Sequence, residues 1–138
     1  VRANAWRETY PAVMTTLTTT SVDFAFPSGE HRGVALPRDR MVVAIAPYLN
    51  RTHPCAVHSI SGCQGELPHR DFAVAVTDRS GEVVLRDTYR SLSNGFIELW
   101  LPRDSEFEIA ISGMELKATG TVTTFENSPT CRTEFRLL

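Results

Sequence analysis

The sequence has no long hydrophobic run and no strong charge of either sign. No stretch approaches the roughly 18 consecutive apolar residues of a membrane-spanning helix, so we expect no membrane span. The 14 Lys and Arg residues nearly balance the 16 Asp and Glu residues, and the net charge of −2 creates no field that would attract nucleic acid. At 138 residues, with 42% hydrophobic and 22% charged residues, the chain is instead typical of one folded domain.

The motifs of common hydrolases are also missing. The sequence contains neither a Gly-x-Ser-x-Gly nucleophile elbow nor a His-Glu-x-x-His zinc motif. A cysteine hydrolase built on Cys55 and His58 would leave the other two cysteines without a role. The sequence therefore gives little support to classical hydrolase chemistry.

Short alternating apolar segments lie between turn signals such as 78–81 and 94–95. Phe107, Ile109 and Ile111 alternate with other residues at the two-residue period of a half-buried strand. Repeated along the chain, this pattern predicts an all-β domain, either an antiparallel β-sandwich or a barrel-like fold. The predicted strands cover 20–26, 41–48, 71–78, 82–89, 97–101, 106–111, 115–125 and 131–137.

The first part of the chain is less regular. Residues 1–35 are predicted to form an N-terminal arm and first strand, and residues 36–138 the main β domain. Over 4–16 two interpretations remain open: one or two helical turns with Trp6 and Tyr10 on one face, or an extended arm packing an aromatic residue on the sheet.

A segment without periodicity, 49–70, interrupts the strands and concentrates reactive side chains. It holds two of the three cysteines and three of the four histidines. Loops of more than about 12–15 residues inside compact domains are usually functional or disordered. We therefore predict a long loop that carries the functional site.

Thiolate and imidazole are the ligands that Cu(I) and Zn(II) accept, whereas harder ions prefer carboxylates. The donors of such a site are His53, Cys55, His58 and Cys63 in the loop, and Cys131 if the last strand ends beside it. A disulfide between Cys131 and one of the loop cysteines is the alternative, and would stabilise an exported protein by about 4 kcal/mol. The spacing leaves both interpretations open.

Other polar residues of the loop have two interpretations each. Glu66 is predicted either to orient a ligating histidine or to pair with Arg51 or Arg70. Gln64 and Gly65 are expected to set the backbone of the loop. His31, in a turn, and His69 are expected to be solvated rather than ligands.

Five segments of the chain together form a specific series of motifs. They are Ile45-Ala46-Pro47-Tyr48, Cys55-Ala56-Val57-His58, Cys63-Gln64-Gly65-Glu66-Leu67, Asn94-Gly95-Phe96-Ile97-Glu98-Leu99-Trp100-Leu101-Pro102-Arg103 and Thr123-Thr124-Phe125-Glu126-Asn127-Ser128-Pro129-Thr130-Cys131. In wording and order these segments resemble the CueP family of bacterial copper-binding proteins. The resemblance runs from about residue 36 to residue 138 and includes counterparts of the family's three cysteines.

The resemblance implies a periplasmic or otherwise extracytoplasmic protein, free or lipid-anchored. By that resemblance it buffers copper or acts as a copper chaperone, supports copper tolerance and supplies a cuproenzyme such as superoxide dismutase. The implied ligands are Cys55, Cys63 and Cys131, with His58 and His53 completing the site. Zinc is the expected substitute ion. The family's N-terminal portion, which contributes to dimerisation, has no counterpart we identify in 1–35, which favours a monomer.

Two further functions remain open. The protein could be a thiol–disulfide oxidoreductase with an exchange partner, or a cupric reductase that converts Cu(II) to Cu(I). It could also be a binding domain that a disulfide stabilises and in which metal has no role.

Overall fold

The chain forms ten strands in the computed structural model, which describes residues 14–138. These strands account for the regular structure of the described residues, and no helix occurs among them. In chain order they are β1 (Met14–Leu17), β2 (Ser21–Ala25), β3 (His31–Ala35), β4 (Arg40–Ile45), β5 (Asp71–Thr77), β6 (Val83–Arg90), β7 (Ile97–Pro102), β8 (Glu106–Gly113), β9 (Leu116–Thr123) and β10 (Cys131–Arg132).

The strands form three open sheets. The N-terminal sheet has the order β1-β2-β3, the site sheet β10-β4-β7 and the back sheet β6-β5-β8-β9. All neighbours are antiparallel except β10 and β4, which run parallel. None of the three sheets closes on itself, so the predicted all-β sandwich is confirmed and the barrel-like alternative is not.

The core lies between the site sheet and the back sheet, because every second residue of their inner strands is apolar. Burying such a side chain fully stabilises a fold by about 1.5–3 kcal/mol. The site sheet contributes residues of β4 and β7, and the back sheet residues of β5, β8 and β9. The main members are Met41, Val43, Ile45, Ile97, Leu99, Leu101, Phe72, Val74, Val76, Phe107, Ile109, Ile111, Ala118 and Val122.

Strand β4 is buried on both faces. Val43 and Ile45 point into the core, while Ala44 and Ala46 contact Phe96 and Cys131 on the opposite side. A strand covered on both sides is expected to be continuously apolar, as 41–46 is. The second face of β4 is where the loop with the cysteines packs.

The N-terminal sheet joins the rest of the fold through β1. The Leu17 N–H donates to the carbonyl of His58 at 2.7 Å. Thr15 and Ser61 exchange hydrogen bonds, since the Thr15 N–H donates to Ser61 Oγ at 3.1 Å and the Ser61 N–H to Thr15 Oγ1 at 3.0 Å. The N-terminal sheet is therefore anchored on the long loop.

Two segments differ from the sequence prediction. The turn predicted around His31 is strand β3, whose five residues are all exposed, so no alternation reveals it. The strand predicted over 131–137 ends at Arg132 as a regular strand, because its register against β4 then slips. Ala46 N–H donates to Arg132 O but Tyr48 N–H donates to Phe135 O, one residue further than an even ladder requires.

Most of the predicted arm or helix over 4–16 lies outside the described residues, and its last three positions belong to β1. The domain boundary after residue 35 stays a prediction. In the part of the chain that the structure describes, no helix is long and apolar enough to cross a membrane.

The loop meets the turn before β7 at two glycines. The Gly65 N–H donates to the carbonyl of Asn94 at 2.6 Å. A Cβ on Gly65 would lie 2.9 Å from the carbonyl oxygen of Gly95, so a side chain at Gly65 would push the two backbone segments apart. This close crossing fixes the loop against the edge of the site sheet.

Replacing Gly95 by alanine should destabilise the protein, because two restraints exclude a side chain there. Its φ is +80°, and a Cβ would lie 2.7 Å from the carbonyl carbon of Gly65. A positive φ costs alanine about 1–2 kcal/mol, and the clash with backbone atoms adds to that cost. We expect urea denaturation of reduced Gly95→Ala to give a free energy of unfolding about 3 kcal/mol below wild type.

Gly81→Ala is the matched control. Gly81 has a similar φ of +87°, but a Cβ on this residue would meet no atom within 4 Å. Gly81→Ala should therefore lower the free energy of unfolding only by the cost of the positive φ, about 1 kcal/mol. Equal losses in the two variants would contradict a role for the Gly65–Gly95 crossing.

Candidate metal centre

The candidate site lies where the loop covers the second face of β4. Ala44, Ala46, Phe96 and Cys131 form a small buried cluster there, and Cys55 and Cys63 pack against it. The apolar face of β4 is thus the floor of the site. The loop forms its solvent side.

Strand β10 places Cys131 in this cluster. Cys131 pairs with Ala44 across the parallel ladder and is completely buried. The N–H groups of Thr130 and Cys131 both reach the carbonyl of Ala56, at 2.9 and 3.3 Å. The last strand therefore does end beside the loop, as the site prediction requires.

The three cysteines are free thiols in this structure. The Sγ atoms of Cys55 and Cys63 are 3.5 Å apart, which is longer than the roughly 2.05 Å of a disulfide bond. The Ser59 N–H points at the Cys63 sulfur at 3.4 Å. The disulfide predicted between Cys131 and one of the loop cysteines is not formed in this structure and stays a prediction.

Two groups of metal-ligating atoms meet at Cys63. His53, Cys55 and Cys63 form an outer triad of half-buried residues, and His58, Cys63 and Cys131 form an inner triad whose other two members are buried. Within each triad, the ligand atoms all lie within 4.8 Å of one another. The structure thus brings together all five residues that the sequence analysis selected.

His58 is the most unusual of these residues. It is 1% exposed, and neither ring nitrogen has a hydrogen-bond partner among the described residues. Burial lowers the pKa of His58 to about 4, so the ring is neutral at pH 7 and one nitrogen presents a free lone pair. An unsatisfied buried polar group costs about 1–3 kcal/mol. A bound metal ion would provide the missing partner.

Two of the three thiols, those of Cys55 and Cys131, have raised pKa values. For Cys131 the cause is burial first, then the nearby Cys55 and Cys63 side chains. Burial is also the largest cause for Cys55. Without a cation these thiols are therefore protonated at neutral pH. A coordinated metal ion reverses that preference, because its positive charge stabilises the thiolates and displaces their protons.

The donor set selects the kind of ion. Both triads consist of sulfur and imidazole nitrogen, and neither includes a carboxylate. Such donors fit Cu(I) or Zn(II) and do not fit Mg²⁺ or Ca²⁺. The donor chemistry of each triad therefore fits a copper or a zinc ion.

Glu66 forms the predicted ion pair with Arg51 and has a further role that was not predicted. Its carboxylate accepts backbone N–H groups of Leu49, Asn50 and Arg51 at 2.8, 3.1 and 2.8 Å. The exposed Arg51 guanidinium is 3.9 Å away. Desolvation alone would raise the pKa of Glu66, but these donors hold it below its usual value. Glu66 fixes the start of the loop rather than orienting a histidine.

Phe96 and Thr130 support the site, and sequence analysis did not assign either to it. The Phe96 ring centroid lies 4.5 Å from that of His58. The Thr130 hydroxyl accepts the His58 N–H at 2.9 Å and donates to the Leu17 carbonyl at 2.7 Å. Only the position of Thr130 next to Cys131 hinted at this role. His31 and His69 belong to neither triad.

Comparisons with known proteins agree with this geometry. The family model described as periplasmic copper-binding protein CueP matches residues 6–136. The match begins thirty residues before position 36, so the sequence analysis placed the start of the resemblance too late. No curated protein matches the chain.

A solved structure is also similar. The chain is 37% identical to the protein in the crystal structure of S.CueP, with a TM-score of 0.87. The alignment covers 92% of this chain and 78% of the other. The structural similarity therefore extends over most of this chain.

Replacing Glu66 by glutamine should lower the free energy of unfolding by an amount that depends on pH. The pKa of Glu66 is lower in the folded protein than its usual value, which applies to the unfolded chain. The ionised carboxylate therefore stabilises the fold at pH values above its pKa in the unfolded chain. This stabilisation is lost as the pH falls through the pKa of Glu66 in the folded protein. We expect Glu66→Gln to lower the free energy of unfolding by about 1–2 kcal/mol at pH 7. The difference from wild type should shrink towards zero in urea titrations at progressively lower pH.

Glu108→Gln is the control for this measurement, because Glu108 is an exposed residue of β8. Its effect at pH 7 should be within about 0.5 kcal/mol. A Glu66→Gln deficit that stays constant down to acid pH would contradict a charge-dependent role for Glu66.

Proposed function

The chain belongs to the CueP family of periplasmic copper-binding proteins, and we propose that it binds Cu(I) through three thiolates and two imidazoles. The observation that supports this most directly is that all five donors converge in two triads. Within each triad, the ligand atoms lie within 4.8 Å of one another. Cu(I) prefers thiolate ligands. The ligands are Cys55, Cys63, Cys131, His58 and His53.

We propose a buffer or chaperone rather than an enzyme. Cys55, Cys63 and His53 are half-buried, so the ligands of an incoming protein can reach copper from the solvent side. The buried His58 and Cys131 keep the ion from free water. This combination suits storage followed by ligand exchange with a receiving cuproenzyme, such as a superoxide dismutase, and a role in copper tolerance.

A competition titration tests the proposal. Reduced protein should hold one equivalent of Cu(I) against a chromogenic chelator such as bicinchoninate. Cys63 belongs to both triads, so Cys63→Ser should lower the affinity at least 100-fold, which corresponds to about 2.7 kcal/mol. Far-UV circular dichroism should show that the variant keeps its β-structure.

His31→Ala is the matched control, since His31 is an exposed histidine on β3 outside both triads. It should bind Cu(I) as wild type does. Unchanged affinity in Cys63→Ser would contradict the proposed ligand set. Reduced wild type that loses all its copper to the chelator would instead favour a binding domain without a metal role.

Cupric reduction is a second candidate, favoured by the 3.5 Å separation of the Cys55 and Cys63 sulfurs. Two such thiols can form a disulfide with small movement. In that step two Cu(II) ions each gain one electron, the two thiols release two protons to solvent, and one S–S bond forms. The protein would then be a reductant of Cu(II), and an external thiol would have to reduce the disulfide again before Cys55 and Cys63 could bind Cu(I).

This step predicts a fixed stoichiometry. Under anaerobic conditions, reduced protein should convert two equivalents of Cu(II) and then stop, with the loss of two titratable thiols. Cys55→Ser should abolish the reaction and His31→Ala should leave it intact. Sustained turnover with an external thiol, faster than the thiol alone achieves, would indicate a cupric reductase or thiol–disulfide oxidoreductase instead.

A further inference from the structure

The two triads differ in exposure although they share a sulfur atom. His53 and Cys55 are half-buried, whereas His58 is 1% exposed and Cys131 is 0% exposed. Only Cys63 belongs to both triads. With metal–thiolate bonds of about 2.3 Å, two ion positions on one sulfur are at most about 4.6 Å apart. An ion can therefore pass between them without leaving Cys63.

We propose that Cu(I) occupies two successive positions, an outer entry and exit position and an inner holding position, with Cys63 bound throughout. The inference rests on the proposed copper-binding function and adds to it a direction of transfer. The outer triad exchanges copper with solvent or with a partner's ligands. The inner triad retains copper where solvent ligands do not reach it.

The transfer is a ligand exchange without a redox step. The bonds from copper to Cys55 Sγ and to a His53 ring nitrogen break, and bonds to Cys131 Sγ and a His58 ring nitrogen form. The proton of the Cys131 thiol moves to the released Cys55 thiolate, so the charge of the site is unchanged. Cu(I) remains Cu(I), and no external reactant is needed.

The backbone holds the shared ligand in a fixed turn. The Cys63 N–H donates to the carbonyl of Ser59 at 2.9 Å, and the Gly62 N–H donates to Ser59 Oγ at 3.0 Å. Cys63 can therefore keep one position while copper moves between its two sides.

The inner ligands are held by longer-range contacts. Cys131 is fixed by the pairing of β10 with β4. His58 is fixed at its N–H by Thr130 and at its carbonyl by Leu17. Because the donors of the inner triad are already placed, transfer requires movement of the ion and small side-chain rotations.

Double-mixing stopped flow tests this order of events. Reduced protein is mixed with one equivalent of Cu(I), aged for a chosen time and then mixed with excess bicinchoninate. Copper in the outer position should be removed in a fast phase and copper in the inner position in a slow phase, at least tenfold slower. The amplitude of the fast phase should fall as the ageing time increases.

Variants assign the phases to the triads. Cys131→Ser should release all its copper in the fast phase at every ageing time, and Cys55→Ser should lose most of the fast phase. His31→Ala, outside both triads, should show both phases as wild type does. If burial makes Cys131→Ser unstable, Cys131→Ala can replace it as the variant that lacks an inner ligand. His53→Ala, at a half-buried position, is then the matching variant that lacks an outer ligand.

Single-exponential release that does not depend on ageing time would overturn the two-position inference while leaving copper binding intact. Identical changes of release in Cys55→Ser and Cys131→Ser would also overturn it. If wild type failed to retain copper in an equilibrium competition, the proposed function itself would be wrong, and the inference with it.

Discussion

The structure depends on a strand that has no solvent-facing side. One face of β4 anchors the sandwich core through Val43 and Ile45, and the other supports the candidate site through Ala44 and Ala46. Small side chains on that second face let the loop and β10 approach closely. A larger residue at Ala44 would occupy the space that Cys131 fills, so the packing of the core and the placement of the donors are set by the same short segment.

The donors are held by hydrogen bonds between distant segments. Thr130 joins three of these segments. Its hydroxyl accepts the His58 N–H and donates to the Leu17 carbonyl, and the residue itself directly precedes the candidate ligand Cys131. Glu66 secures the start of the loop in a similar manner. A buried imidazole without partners would be costly in a mobile loop, and these contacts explain how the fold retains it in place.

Alternation predicted the sandwich well where strands are buried on one face, as in β5 and β8. It missed β3, whose residues are all exposed, and it extended the last strand past a register slip that no residue type signals. For the site, residue chemistry selected all five donors. Their division into inner and outer sets was beyond prediction, because the burial of His58 depends on Phe96 and β1, which are distant in sequence.

The two triads also differ in how much of the chain must be in place before they exist. The outer triad lies within residues 53–63, so a short stretch of polypeptide carries all of it. The inner triad also needs Cys131, which five strands separate from the loop in sequence, so a long loop must close before this triad forms. Under the two-position proposal, the outer position would therefore need only a short stretch of the chain, whereas the inner position would also need the last strand in place against β4. A molecule in which that strand is displaced would be expected to capture copper without retaining it.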